Sequence, residues 1–134
     1  YVKKHSETIR SKGIEPVLFM TWPYKNKPEM QEKLEKEFFK ASELNNIRMI
    51  PAGQAFLYIN QNFPNINLYT EDLRHPSKEG TYLASLMVFT FLSNKSPVGN
   101  TYIIDLEPDV AEILQKVAWM TFKNFQKRTL NSGL

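Results

Sequence analysis

Residues 69–84 hold the side chains whose types and spacing could carry out a chemical reaction. Asp72 lies three residues before His75, and Pro76 and Ser77 follow directly. Proline disfavours helical backbone at the residue before it, and serine is a good N-cap, so we expect His75 in a loop at the N-terminus of a helix. Asp72 is then close enough to accept a hydrogen bond from Nδ1 of His75. This leaves Nε2 free as a general base, as in the histidine and aspartate of a Ser-His-Asp triad.

The same pair is also compatible with a polar surface loop that has no catalytic role. The partial positive charge at a helix N-terminus disfavours a charged imidazolium, and a nearby carboxylate offsets that effect. Gly80, in the first turn of the predicted helix, would let a neighbouring segment or a ligand come close. The pair alone does not separate the two interpretations.

Composition excludes several other kinds of function. The chain has no cysteine, which rules out disulfides, thiolate metal sites and a cysteine nucleophile. Its only histidines, His5 and His75, are far apart, so we expect no transition metal and no cofactor. The net charge of +3 is too small to indicate nucleic acid as a partner. No apolar run approaches the roughly 18 residues of a membrane span, so we expect no membrane partner.

The elements that must position the pair follow an alternating order. Short apolar runs bounded by proline predict buried strands, and apolar residues at a spacing of three and four predict helices. Alternation of strands with helices predicts a parallel α/β layer structure, and 134 residues allow one domain. The predicted helices cover 1–12, 28–45, 52–62, 77–92 and 107 onwards, and the predicted strands cover 16–22 and 47–50.

Two strands are too few for a stable sheet of this kind. The chain also begins without methionine and inside a predicted helix. We therefore expect these residues to be the C-terminal part of a longer domain.

The segment around the pair resembles the last conserved block of the SGNH (GDSL-type) hydrolases, which supplies the aspartate and histidine of their triad. The resemblance implies a three-layer α/β/α sandwich with a parallel sheet, the flavodoxin-like SGNH fold, of which residues 1–134 form the C-terminal portion. It implies that Asp72 and His75 are catalytic. The resemblance rests on residues 72–77, 80 and 82–84, and it extends to 17–22, Tyr24, 91–92 and 95–99.

The family's other motifs are missing from this chain. There is no Gly-Asp-Ser element after a first strand and no Gly-x-Asn-Asp element. None of the eight serines lies in a nucleophile elbow. We therefore expect the 134 residues alone to be inactive, and we expect the N-terminal half of the same domain as the partner that supplies the nucleophile and the oxyanion hole.

The resemblance implies a serine-type ester hydrolase that acts on small acyl esters, with acetylated carbohydrate the commonest theme among relatives. Many relatives are exported, which favours a secreted or periplasmic location. The alternative is a truncated or decayed hydrolase fold that acts as a binding or interaction module.

Three further residues are candidates for substrate binding. Trp22, Tyr24 and Gln54 follow the predicted C-terminal ends of the strands, where α/β sheets bind ligands. An aromatic ring there could stack on a sugar. Trp22 could equally be a core residue and Tyr24 a loop anchor, and Gln54 could line the same edge.

Overall fold

The computed structural model describes residues 1–131 and has a mixed α/β architecture, as expected from the sequence. Each predicted helix and strand is present, although the first strand is shorter than predicted. Its strand conformation ends at Phe19, before Met20. In chain order the elements are α1 (Val2–Arg10), β1 (Val17–Phe19), α2 (Met30–Asn45), β2 (Arg48–Ile50), α3 (Ala52–Asn62), α4 (Lys78–Ser93) and α5 (Pro108–Asn131).

The two strands pair in parallel, with Val17 opposite Arg48 and Phe19 opposite Ile50. The Met20 N–H donates to the Ile50 carbonyl at 2.9 Å, just beyond the ladder. Because successive residues of a strand point their main-chain groups to opposite sides, the N–H and C=O groups of Val17 and Phe19 face away from β2. In the part of the chain that the structure describes, the sheet has these two strands, so this edge of β1 is open.

Apolar residues pack on both faces of the strand pair. Val17, Phe19 and Ile50 belong to the larger cluster, which α3, α4 and α5 complete. Leu18 and Met49 belong to the smaller cluster. The apolar spacing within α2 and within α5 predicts one inward face for each helix. On α5 that face is buried or half-buried throughout and consists of Val110, Ile113, Leu114, Val117, Ala118, Thr121 and Phe125, whereas on α2 it is only half-buried and consists of Met30, Leu34, Phe38 and Ala41. The smaller cluster also contains Met20, Phe38, Phe39 and Phe125.

Close main-chain contacts at the C-terminal ends of the strands join β1 to α3. The Gly53 N–H donates to the Met20 carbonyl at 3.0 Å. A Cβ atom added to Gly53 would collide with the carbonyl oxygen of Thr21. This position therefore requires glycine, and the contact fixes the point from which the chain after β1 leaves the sheet.

We expect Gly53→Ala to lower the free energy of unfolding by about 1–3 kcal/mol, since the added methyl group meets main-chain atoms that cannot rotate away. The measurement is urea unfolding followed by circular dichroism. Gln61→Ala, on an exposed position of the same helix, is the control and should change the value by about 0.5 kcal/mol or less. Equal stability of Gly53→Ala and the control would show that this contact is not tight.

Candidate catalytic site

The carboxylate of Asp72 closes a turn that contains His75. Its Oδ1 atom accepts hydrogen bonds from the main-chain N–H groups of Arg74 and His75, each at 2.9 Å. The Thr70 hydroxyl donates to the same oxygen at 2.8 Å. Short acidic side chains favour such local turns. The three bonds fix the position of the carboxylate before any contact with the imidazole ring is considered.

The second carboxylate oxygen, Oδ2, lies against Nδ1 of His75. The contact predicted from the spacing is therefore present. The His75 side chain is 80% exposed, and its Nε2 atom makes no hydrogen bond within residues 1–131. When Nδ1 carries the ring proton and donates it to the carboxylate, Nε2 has a free lone pair that can accept a proton.

Hydrogen bonding keeps Asp72 ionised. The bond from the His75 ring lowers the pKa of Asp72 most, followed by the bonds from the main-chain N–H groups of His75 and Arg74 and from the Thr70 hydroxyl. The pKa of this carboxyl lies well below its ordinary value. Asp72 therefore carries its negative charge wherever His75 could act as a base, and it can balance an imidazolium.

The main chain carries His75 from a short antiparallel bridge into α4. Tyr69 pairs with Pro76, and the Thr70 N–H donates to the His75 carbonyl at 2.9 Å. Ser77 then caps α4 as predicted, because its hydroxyl accepts a hydrogen bond from the Gly80 N–H at 3.2 Å.

Gly80 lets the preceding segment approach the first turn of α4. A Cβ atom at Gly80 would collide with the Leu68 carbonyl oxygen. The sequence left open whether a chain segment or a ligand comes close to this glycine. In the structure it is the chain segment at Leu68.

Trp22 joins the core to the Asp72–His75 turn. Its ring stacks on Phe56, with centroids 3.9 Å apart and planes at 3°, and meets the edge of Phe19 at 6.3 Å. Its Nε1–H donates to the Arg74 carbonyl at 3.2 Å. These contacts match the core interpretation of Trp22. Stacking on a sugar remains a prediction, and it would have to use ring surface that Phe56 leaves free.

The other two candidates for substrate binding lie at the same end of the sheet. The Arg74 guanidinium lies over the Tyr24 ring, 4.9 Å from its centroid, so Tyr24 is beside the turn. Gln54 is half-buried in the first turn of α3. Its side chain has no hydrogen-bond partner in the described part of the chain, and the structure gives it no hydrogen bond to His75. A ligand-binding role for either residue remains a prediction.

Sequence reasoning missed Tyr69, which is 1% exposed. Its hydroxyl donates to the Pro23 carbonyl at 3.1 Å and accepts from Asn60 Nδ2 at 3.1 Å. Burial raises the pKa of Tyr69, so the phenol keeps its proton. The hydrogen bond from Tyr69 to Pro23 connects the loop after β1 to the segment that precedes the turn. The sequence feature that could have indicated this role is the position of Tyr69 in the loop, three residues before Asp72.

None of the seven serines that the structure describes reaches His75. Each of them makes a hydrogen bond with a nearby main-chain group. Ser132, the eighth, lies outside the described residues. Among the described residues, therefore, no serine lies beside Asp72 and His75.

Residues 1–131 offer neither a cluster of metal ligands nor a helix suited to a membrane crossing. No group of three or more His, Cys, Asp or Glu side chains could hold a metal ion there. None of the described helices combines the length and apolarity that a membrane crossing needs.

Comparison with known proteins shows the fold alone. No family model matches the chain, and no curated protein matches it. A solved structure of a DUF4886 family protein from Bacteroides uniformis is similar, with a TM-score of 0.81 and 20% sequence identity. The match covers 90% of this chain and 54% of that one, so these residues span about half the length of that structure.

The lowered pKa of Asp72 predicts how stability depends on pH. An unfolded aspartate has a pKa of about 3.9. Since the folded pKa is lower, ionised Asp72 stabilises the fold above that pH, and the contribution declines as the pH falls below it. We expect the difference in urea midpoint between the wild type and Asp72→Asn to be largest near neutral pH and to shrink below about pH 4.

The control is Glu71→Gln, because Glu71 is the adjacent exposed acid and makes no hydrogen bond through its side chain in the described structure. Its midpoint should follow the wild type across the pH range. A difference for Asp72→Asn that stays constant from pH 7 to pH 2 would contradict the assigned hydrogen bonds.

Proposed function

We propose that this chain is the C-terminal portion of a serine-type ester hydrolase domain of the SGNH kind, with His75 as general base and Asp72 as its orienting acid. The observation that supports the proposal is the contact between Asp72 Oδ2 and His75 Nδ1, with Nε2 unpartnered among the described residues. Three further hydrogen bonds to Oδ1 hold the carboxylate in the position from which Oδ2 faces the ring.

The proposed reaction uses a serine from outside this chain. The serine hydroxyl attacks the ester carbonyl while His75 Nε2 takes its proton. His75 then gives that proton to the departing alcohol, and the acyl group remains on the serine. Water hydrolyses the acyl-enzyme with His75 again as the base. Asp72 holds the ring through Nδ1 and balances the imidazolium at each proton transfer.

The open edge of β1 supports the proposed position of the missing half. In the finer fold that we propose, further parallel strands add to this edge, and the sheet becomes the middle layer of an α/β/α sandwich. The apolar clusters on both faces of the strand pair are compatible with that arrangement. The C-terminal ends of parallel strands lie at the same end of a sheet. A serine that follows an added strand would therefore lie at the same end of the sheet as His75.

We propose small acyl esters as substrates, with acetylated carbohydrate as the first class to test. Tyr24 is the aromatic ring beside the turn that could contact such a substrate. The reaction needs no cofactor, since the serine, histidine and aspartate supply the nucleophile and the proton transfers. Many members of the family are exported, and we propose a secreted or periplasmic location on that basis.

A non-catalytic binding or interaction module is the second candidate. It is favoured by the lack of a serine near His75 in residues 1–131. The residue that follows the first strand of the complete protein discriminates the two: a Gly-Asp-Ser element supports the enzyme, and another residue at that position supports the module.

His75→Ala should lower kcat for an acetyl ester by about 10⁶-fold in the complete protein, because it removes the group that takes the serine proton. Hydrolysis of p-nitrophenyl acetate measures the rate, and circular dichroism checks the fold. His5→Ala is the matched control, since His5 is exposed on α1. Equal rates for the two variants would remove His75 from the mechanism.

Asp72→Asn should lower kcat by about 10⁴-fold, less than the loss of His75, because the base remains but its tautomer and charge are no longer supported. The same assay applies, with Glu71→Gln as the control. An unchanged rate for Asp72→Asn would mean that another group orients the ring.

A further inference from the structure

Leu73, which follows Asp72 in the Asp72–His75 turn, has a strained main-chain conformation. Leu73 has a φ of +61°, in the left-handed region that non-glycine residues seldom occupy. The surrounding contacts must therefore hold it there. A relaxed Leu73 would change the direction of the chain between Asp72 and His75. The contact between Oδ2 and Nδ1 depends on that direction.

Two hydrogen bonds from the loop after β1 hold the carbonyl groups of Leu73 and Arg74. The Lys25 N–H donates to the Leu73 carbonyl at 2.8 Å. The Trp22 Nε1–H donates to the Arg74 carbonyl at 3.2 Å. Both donors lie about fifty residues before their acceptors in the sequence, so these bonds are set by tertiary packing.

The donor loop is itself rigidly placed. The Trp22 ring lies flat on Phe56, which is fully buried, so the direction of its N–H is fixed by the core. The Tyr69 hydroxyl also donates to the Pro23 carbonyl of this loop, at 3.1 Å. The core thus acts on the strained turn through the Trp22 N–H, beside the main-chain N–H of Lys25.

We propose that Trp22 is a positioning residue for His75. Its N–H, oriented by the stack on Phe56, holds the Arg74 carbonyl and keeps Leu73 in the left-handed conformation. The imidazole ring then stays against Asp72. The catalytic consequence rests on the function proposed above, whereas the effect on the turn does not.

Trp22→Phe tests the proposal directly, because a phenyl ring can keep the stack on Phe56 but has no N–H. The first readout is the downfield proton resonance of His75 Nδ1–H in the full chain, labelled with ¹⁵N-histidine. The His5→Ala variant assigns the signal, since only two histidines exist.

We expect the resonance to disappear or broaden in Trp22→Phe and to remain in Trp119→Phe, a control on α5. In the complete enzyme we expect kcat to fall about tenfold with KM nearly unchanged.

Leu73→Gly gives the second arm, because glycine adopts a positive φ without steric cost. In that background the strain is gone, and we expect Trp22→Phe to weaken the Nδ1–H resonance far less than in the wild type. Tyr69→Phe, which removes only the hydroxyl that bonds Pro23 and Asn60, covers the case in which Trp22→Phe does not fold. It should weaken the resonance in the same direction.

The outcomes separate the two proposals. A resonance unchanged in both Trp22→Phe and Tyr69→Phe would overturn the positioning role, and so would an equal loss in the wild type and Leu73→Gly backgrounds. If the complete protein hydrolyses no ester but Trp22→Phe still removes the resonance, the positioning role is supported and the proposed function fails.

Discussion

The carboxylate of Asp72 is the group on which the candidate site depends. One of its oxygens accepts two main-chain N–H bonds and the Thr70 hydroxyl, and the other faces the His75 ring. The same side chain therefore closes the turn and orients the His75 ring. For this reason a substitution at Asp72 changes both the turn and the ring, and stability must be measured beside any rate.

The scaffold restrains this turn from two sides. Ser77 and Gly80 join it to the start of α4, where the Leu68 carbonyl packs closely. Trp22 and Tyr69 join it to the loop after β1. The loop begins where Gly53 packs against the end of β1, and this contact connects the turn to the C-terminal end of the sheet. This rigidity is what a base needs if its Nε2 atom is to meet a nucleophile at a fixed position.

The sequence could predict the elements and the local geometry because both are encoded over short distances. Pro16 and Pro51 bound the strands, Asn46 takes the left-handed conformation that ends α2, and Ser77 caps α4. The Asp72–His75 contact spans three residues and needs only a turn.

Contacts between distant segments could not be predicted in this way. The Trp22 N–H reaches the Arg74 carbonyl across 52 residues, and the Tyr69 hydroxyl reaches the Pro23 carbonyl across 46. Which donor meets which acceptor depends on how α3 and the loop after β1 pack. A sequence pattern could therefore place Trp22 near the site, but it could not decide between stacking on Phe56 and contact with a ligand.

The most direct test of the central claim is the reaction of the complete protein with a fluorophosphonate, followed by mass spectrometry of the labelled peptide. The account predicts that one serine outside residues 1–134 is labelled, and that the label is lost in His75→Ala but kept in His5→Ala. No labelling, or labelling that does not depend on His75, would contradict the assignment of Asp72 and His75 to a serine hydrolase triad.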